Sequence, residues 1–490
     1  MSSSQSNYHQ PKGLYLLFST ELWERFGFYT IQAILILYLT KALGYHDSKA
    51  NLIYATYSSL LYLTPILGGY IADRFLGFQR AIILGGIFSA LGYFVLAIPN
   101  DKIFFIGMSI LICANGLFKP NISSIVGELY SPDDPRREGG FTLFYMGINI
   151  GALVPPLIAE SITNRYGWHS GFLTAAAGMI VAFIIFWLGK RRLPLAGKIP
   201  TNSPLINAKS TWFFYILFYI GFLAIAALCF IAFHFPETTT LIVEIAAVLT
   251  VLIVVIFIFR EPPANRKKMY ASLILTAISV GFWALYNQTF TSLTLFADRN
   301  MVQSFLGIPV NAAAMQFFNP LFIIMFSPIL SGLWVALSKR SANPSIPRKF
   351  ALGVLFIALG FLILPIATRF YAQAGLVSSW WLVVSYLLQT IGELLLSPIG
   401  LAMITLLTPK RLVGMMMGVW FFAQAASFAL GGTLANLAAI PENIPATASL
   451  PIYAHAFMLF GLLSIVLAVV SFALLPMLNR LINDMQESKN

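Results

Sequence analysis

Fourteen apolar stretches, each of about twenty residues or more, run through the chain almost end to end, and they leave one class of fold open. They fall at roughly 14–42, 50–73, 80–99, 102–129, 139–161, 169–190, 211–235, 239–260, 269–297, 311–337, 347–369, 379–408, 413–439 and 452–481. A helix rises about 1.5 Å per residue, so about 20 such residues cross a hydrocarbon layer roughly 30 Å thick. In that layer every backbone polar group must be bonded within its own segment. Repeated runs of this length therefore predict an all-α polytopic membrane protein. Composition agrees, since 58% of the 490 residues are hydrophobic and 10% are charged. The net charge of +12 does not imply a nucleic-acid partner, because the bases sit in alternate loops instead of forming a stripe on one domain. Cys113 and Cys229 both lie inside apolar runs, which argues against a disulfide framework or a metal cluster. The segment 1–12 is polar and has neither a basic leader region nor a cleavage site, so the first helix is expected to be retained.

Alternate loops give the orientation. Of the 30 lysines and arginines, 22 fall in one set of loops and six in the other, while Arg25 and Lys119 lie within helices. The rich side is cytoplasmic by the positive-inside rule, which places both termini inside. The least hydrophobic connection, Arg191 to Ser210, reads as a basic, proline-containing linker between halves. The expected division is a six-helix bundle at 1–190, the linker at 191–210, a two-helix hairpin at 211–268 and a second six-helix bundle at 269–490. The only acids of its two spans, 211–235 and 239–260, and the loop between them are Glu237 and Glu244, and the pair reads as lipid-facing.

Charged residues inside the spans mark the candidate site. Glu21, Glu24 and Arg25 are the only charges from Leu14 to Thr40, and their i, i+3, i+4 spacing puts them on one helix face. Arg25 lies roughly 16 Å along that helix, near mid-bilayer. Insertion scales charge about 2.5–3.5 kcal/mol for each such residue, so the face must look onto protein or a water-filled cavity. Lys119 stands alone in the fourth span, about ten residues from its cytoplasmic end, at nearly the depth of Arg25. Two acids and two bases at one level cancel, either as a structural cluster or as working parts. In the stretch 379–408, Glu393 has no base in its own helix. It is either protonated and hydrogen-bonded or paired with a cation that comes and goes, and the second is favoured. Asn149, in Phe144-Tyr145-Met146-Gly147-Ile148-Asn149-Ile150-Gly151, adds a polar group for a cavity.

Two motifs carry a family resemblance. Gly68 to Arg80, with Gly69, Asp73, Arg74, Gly77 and Arg80, resembles the loop signature of the major facilitator superfamily, whose fold has two six-helix halves rocking about a central site. Asp73 is expected to cap the helix that follows, and Gly332 to Lys349 looks like a degraded repeat. Together with ExxER at Glu21–Arg25, FYxxINxG at 144–151 and GELxxSPxG at 392–400, the chain resembles the proton-coupled oligopeptide transporter (POT) family over nearly its whole length. The hairpin and the short segment between the ninth and tenth principal helices look like the prokaryotic form.

The resemblance implies roles for particular residues. Glu21 and Glu24, with Arg25 and Lys119, look like the proton-coupling group, and Arg25, Lys119 and Tyr29 look like the site of the peptide carboxylate. Glu393, with Asn149 and Asn319, looks like the amino-terminus site, while Tyr62, Trp283, Ser397 and Trp420 would line side-chain pockets. The chain departs from the family pattern at four positions. Phe28 replaces the first tyrosine of a pair, Gln32 replaces an arginine, Asn287 replaces an acid, and Ala55 stands where animal relatives carry histidine. Gln32 and Asn287 thus replace the family's gate salt bridge with neutral groups. With Ala55, and no histidine expected mid-span, no His relay is anticipated.

The expected function is inward symport of di- and tripeptides with protons in a bacterial inner membrane, by a protein functional as a monomer. Two or three extended residues separate terminal charges by about 7–11 Å, which suits a cation site on one half and an anion site on the other. Protons serve as coupling ion, and no organic cofactor, metal or enzymatic constellation is read. The rivals are a proton-coupled drug transporter of the same fold, which the Arg25 and Lys119 pair disfavours, an intramembrane enzyme, and a sensor that binds without transport.

Overall fold

The computed structural model describes residues 9–131, 133–193, 198, 203, 208–371, 374–441 and 444–483; most of the expected linker at 191–210 lies outside them. Each apolar run becomes a helix: α1 (Lys12–Leu37), α2 (Asp47–Ile71), α3 (Phe78–Leu96), α4 (Asp101–Glu128), α5 (Arg137–Leu153), α6 (Pro155–Tyr166), α7 (Trp168–Gly189), α8 (Ala208–His234) and α9 (Pro236–Phe259). There follow α10 (Pro263–Tyr286), α11 (Ser292–Asn300), α12 (Phe318–Lys339), α13 (Ile346–Phe370), α14 (Ser379–Leu407), α15 (Val413–Ala435), α16 (Ala446–Ala473) and α17 (Leu475–Asn483). Twelve stretches among the described residues are long and apolar enough to cross a membrane. With α1, which carries Glu21, Glu24 and Arg25 within its length, and α2, they make the expected fourteen spans of a multi-pass membrane protein.

Two spans are broken, each for a local reason. Helices α5 and α6 share one span that parts at Val154, ahead of Pro155 and Pro156, which lack the N–H a continuous helix needs. Helices α10 and α11 are separated by a 3-10 turn, Asn287–Phe290, and by Thr291 at φ −121° and ψ −93°. Side chains stand in for the interrupted ladder. Gln288 Nε2 donates to the carbonyls of Ala284 and Gly431, Ser292 Oγ donates back to Gln288 Oε1, and Thr294 Oγ1 donates to the Thr289 carbonyl.

Four expectations need correction. The helix expected from 311 begins at Phe318, because residues 304–309 pair as a two-stranded hairpin, Ser304–Phe305 with Ile308–Pro309, and a 3-10 turn follows at Ala313–Phe317. The last span runs from Ala446 to Ala473 and is followed by the separate α17, since Pro476 cannot extend a helix. That earlier start puts His455 nine residues, roughly 14 Å, inside α16, deeper than expected, on an exposed face. Asp73 does not cap α3. The chain passes through a π turn at Ala72–Leu76, and the N-cap is Gly77, at φ +76° with no side-chain cap bond.

The chain divides into two compact units, Met1–Gln32 with Leu63–Ile231, and Ala33–Tyr62 with Ala232–Asn490. Within the first, α2 crosses α4 at Gly68 and Gly116, so closely that a Cβ on Gly68 would lie 1.9 Å from the Gly116 carbonyl oxygen. Lipid tails are as apolar as side chains, so such crossings are held by close packing. Helix α8 docks on this unit through Phe218 and Phe222, which pack with Leu76, Cys113 and Leu117, and Phe222 stacks 4.2 Å from Phe88. Arg80 Nη1 donates to Tyr215 at 3.1 Å. Within the second unit, α9 docks on α15: Thr433 Oγ1 donates to Glu244, and Arg411 pairs with Glu261. The helices of the expected hairpin thus belong to different units.

Candidate functional site

In the first unit, α1 carries the charges and α5 seals them in. Gly147 and Gly151, from the FYxxINxG stretch, lie against α1, and a Cβ on Gly151 would sit 2.3 Å from the Leu22 carbonyl oxygen and 3.0 Å from Arg25 Cβ. Glu21, Glu24 and Arg25 are 3%, 5% and 3% exposed. Arg25 Nε donates to Glu24 Oε2 at 2.5 Å and Nη2 donates to Glu24 Oε1 at 2.8 Å, a fork that occupies both oxygens. Glu21 Oε1 lies 3.2 Å from Arg25 Nε, while its buried Oε2 has no hydrogen-bond partner among the described residues. The guanidinium carbon stands 4.5 Å from the Phe28 ring centroid, so the phenyl that replaces a tyrosine supplies a cation–π face. Tyr29 acts electrostatically on Arg25, and half-buried Lys119 acts on Glu21. Glu21, Glu24 and Arg25 are thus in direct contact, and Lys119 is near enough to act on Glu21 through its charge. Asn149 is buried, with its Nδ2 donating to the Tyr145 carbonyl in its own helix at 3.0 Å. Gln32 Oε1 is buried without a hydrogen-bond partner among the described residues. The loop signature lies at the end of α2, where exposed Arg74 stands 5.4 Å from the Tyr70 ring.

In the second unit, Glu393 is 8% exposed, and two uncharged donors converge on one of its oxygens. Tyr286 Oη and Asn319 Nδ2 each donate to Oε2 at 2.8 Å, and Asn319 also donates to Thr390 at 3.1 Å. Tyr286 is the functional residue that sequence reasoning passed over. It carries no charge, and its one signal was its place three residues after Trp283, on the same helix face. Trp283 is half-buried, packs edge-on against Tyr286 at 5.2 Å, and keeps its Nε1 buried without a hydrogen-bond partner among the described residues. Tyr62 packs 5.2 Å from Phe428. Trp420 lies across α14, where a Cβ on Gly400 would fall 2.3 Å from its ring. Ser397 is half-buried one turn after Glu393, and Asn287 is buried, its Nδ2 without a hydrogen-bond partner among the described residues. Ala55 is buried and faces Gly432 so closely that a Cβ added on Gly432 would lie 2.3 Å from its own.

Buried carboxylates and bases in a fourteen-span helical protein, held by neighbouring helices and away from lipid, define a secondary transporter of the major facilitator fold. The sequence profile of the POT family matches residues 79–450, and the chain belongs to that family. It is 36% identical over 481 residues to the dipeptide and tripeptide permease B of Salmonella typhimurium, covering 97% of this chain and 96% of that one. It is 37% identical over 486 residues to that organism's dipeptide and tripeptide permease A, covering 99% and 95%. The crystal structure of a peptide transporter POT in complex with sulfate superposes with a TM-score of 0.84 at 35% identity, over 97% of each chain.

Proposed function

We propose that this protein imports di- and tripeptides with protons across a bacterial inner membrane, by alternating access, with both termini in the cytoplasm. Glu393 carries the reading. A buried carboxylate held through one oxygen by two neutral donors is preorganised for a cation that arrives and leaves, and the amino terminus of a peptide is such a cation. Asn319 fixes its geometry, and Asn149 is read as a further polar group for the amino terminus. Arg25 and Lys119, with Tyr29, recognise the peptide carboxylate, while Tyr62, Trp283, Ser397 and Trp420 shape side-chain pockets.

The proton belongs to the α1 cluster. A peptide carboxylate that competes for Arg25 and Lys119 frees an acid from its base and raises that acid's proton affinity. Glu24 is forked onto Arg25 through both oxygens, whereas Glu21 has an unpartnered oxygen, so Glu21 is the group that takes the proton. Linkage then requires protonation to tighten peptide binding. The proton is the only coupling species, no cofactor or metal is needed, and the protein acts as a monomer, not as an enzyme. The test is uptake of a labelled dipeptide into liposomes holding the purified protein. An inward proton gradient should drive accumulation above equilibrium, and uptake that only equilibrates under that gradient would defeat the reading.

A further inference from the structure

A polar cavity of about 510 Å³ lies in the second unit among the turns at the base-poor ends of its helices, apart from the residues discussed so far. Thr40, Tyr45, His46, Asp47, Arg299 and Ser449 line it, and its volume is within the range of small-molecule sites. An ion pair forms part of its wall. Arg299 Nη1 donates to Asp47 Oδ2 at 2.7 Å and Nη2 donates to Oδ1 at 2.8 Å, while Nη1 also donates to Tyr453 at 3.0 Å and the Ile440 N–H donates to Oδ2 at 3.1 Å. One residue earlier, Asp298 pairs with Lys41. Two neighbouring residues at the end of α11 thus hold two residues that flank the α1–α2 turn, at the face that the loop charges put outside.

We propose that this cavity is a docking site for the charged ends of short peptides, which exchange into the Asp47–Arg299 pair from outside. The peptide carboxylate takes the two N–H groups that Asp47 now occupies, and the peptide ammonium takes Asp47, so each charge keeps an opposite partner through the exchange. An extended dipeptide holds its termini about 7 Å apart, so it bridges the pair only as Asp47 and Arg299 separate. Binding of a free dipeptide therefore opens the clasp, and a single amino acid is too short to do so. The proposal rests on the reading that short peptides are the cargo, and the test separates the two.

The probe is free dialanine. In protein carrying Cys113→Ser and Cys229→Ser, Ile444→Cys places a thiol in the cavity wall, to be labelled in oriented vesicles by an impermeant methanethiosulfonate. Dialanine should slow labelling at least fivefold, both in that background and with Glu393→Gln added, at a concentration where the latter shows no transport. Alanine and N-acetyl-dialanine amide should not slow it, and Arg299→Lys, which cannot offer the same fork, should remove most of the protection. Protection that vanishes with Glu393→Gln, or that the capped peptide gives equally, overturns the proposal. Thr40→Cys serves as a second reporter if the first fails to fold. Uptake of dialanine by the parent protein, measured alongside, shows separately whether the cargo reading holds.

Discussion

Replacing Glu393 by glutamine isolates the charge from the geometry. Both donors, Tyr286 Oη and Asn319 Nδ2, converge on Oε2, so a glutamine with its carbonyl oxygen at that place keeps both bonds and removes only the negative charge. Folding should be almost unaffected, and thermal unfolding of the purified variant should match the parent closely. Removing one partner of a buried charge pair costs about 2–5 kcal/mol, and the retained acceptor puts this variant near the low end, at about 2–3 kcal/mol. At about 1.4 kcal/mol per tenfold, a free dipeptide should bind roughly 30–150-fold more weakly. An N-acetylated dipeptide has no ammonium to lose and should weaken by less than about threefold, because neutral hydrogen bonds differ by a fraction of that energy. Competition against a labelled dipeptide, in binding and in liposome uptake, measures both ligands side by side. Equal losses for the free and acetylated peptides would show that Glu393 does not read the amino terminus. Glu393→Ala is the contrasting variant: it removes the acceptor that Tyr286 and Asn319 share, at a cost of about 1–3 kcal/mol, and should lower stability as well as affinity.

Other substitutions address the remaining parts. Glu21→Gln should abolish gradient-driven accumulation while peptide-for-peptide exchange continues, and full accumulation by the Glu21→Gln, Glu24→Gln double variant would remove the α1 cluster from proton coupling. Glu24→Gln should cost more stability than Glu21→Gln, because Glu24 alone forks onto Arg25, and comparison of their unfolding temperatures decides it. Ala55→His should destabilise by about 1–3 kcal/mol through overpacking against Gly432, with a lower unfolding temperature as the readout and no added titration in the pH profile of uptake. In the loop after α4, the side chain and then the backbone N–H of Arg136 hold the Asp134 carboxyl below the usual carboxylate range. Its contribution to stability is complete above about pH 3.9 and is lost as pH falls through the lowered value, so Asp134→Asn should leave the pH dependence of uptake between about 5 and 8 unchanged.

The sequence by itself determined the spans, their number, the candidate orientation and the charges that had to be explained. Its reach has a simple physical source: a bilayer core admits only segments with internally bonded backbone, and any charge left within one stands out against an apolar background. Glu21, Glu24, Arg25, Lys119 and Glu393 were legible for that reason. The tertiary structure decided what neutral and small residues do, because their meaning depends on what faces them. Nothing in the chain order says that Tyr286 and Asn319, 107 and 74 residues away from Glu393, share one of its oxygens. Nor does it say that Gly151 lets α5 close over Arg25, or that Gly432 packs directly on Ala55. The break between α10 and α11 was hidden for a related reason. Gln288 supplies missing hydrogen bonds through its side chain, so the helix is interrupted where the sequence carries neither proline nor glycine. The pairing of Arg299 with Asp47 across 252 residues is likewise a product of packing, which alone brings two charges at distant helix ends within 2.7 Å.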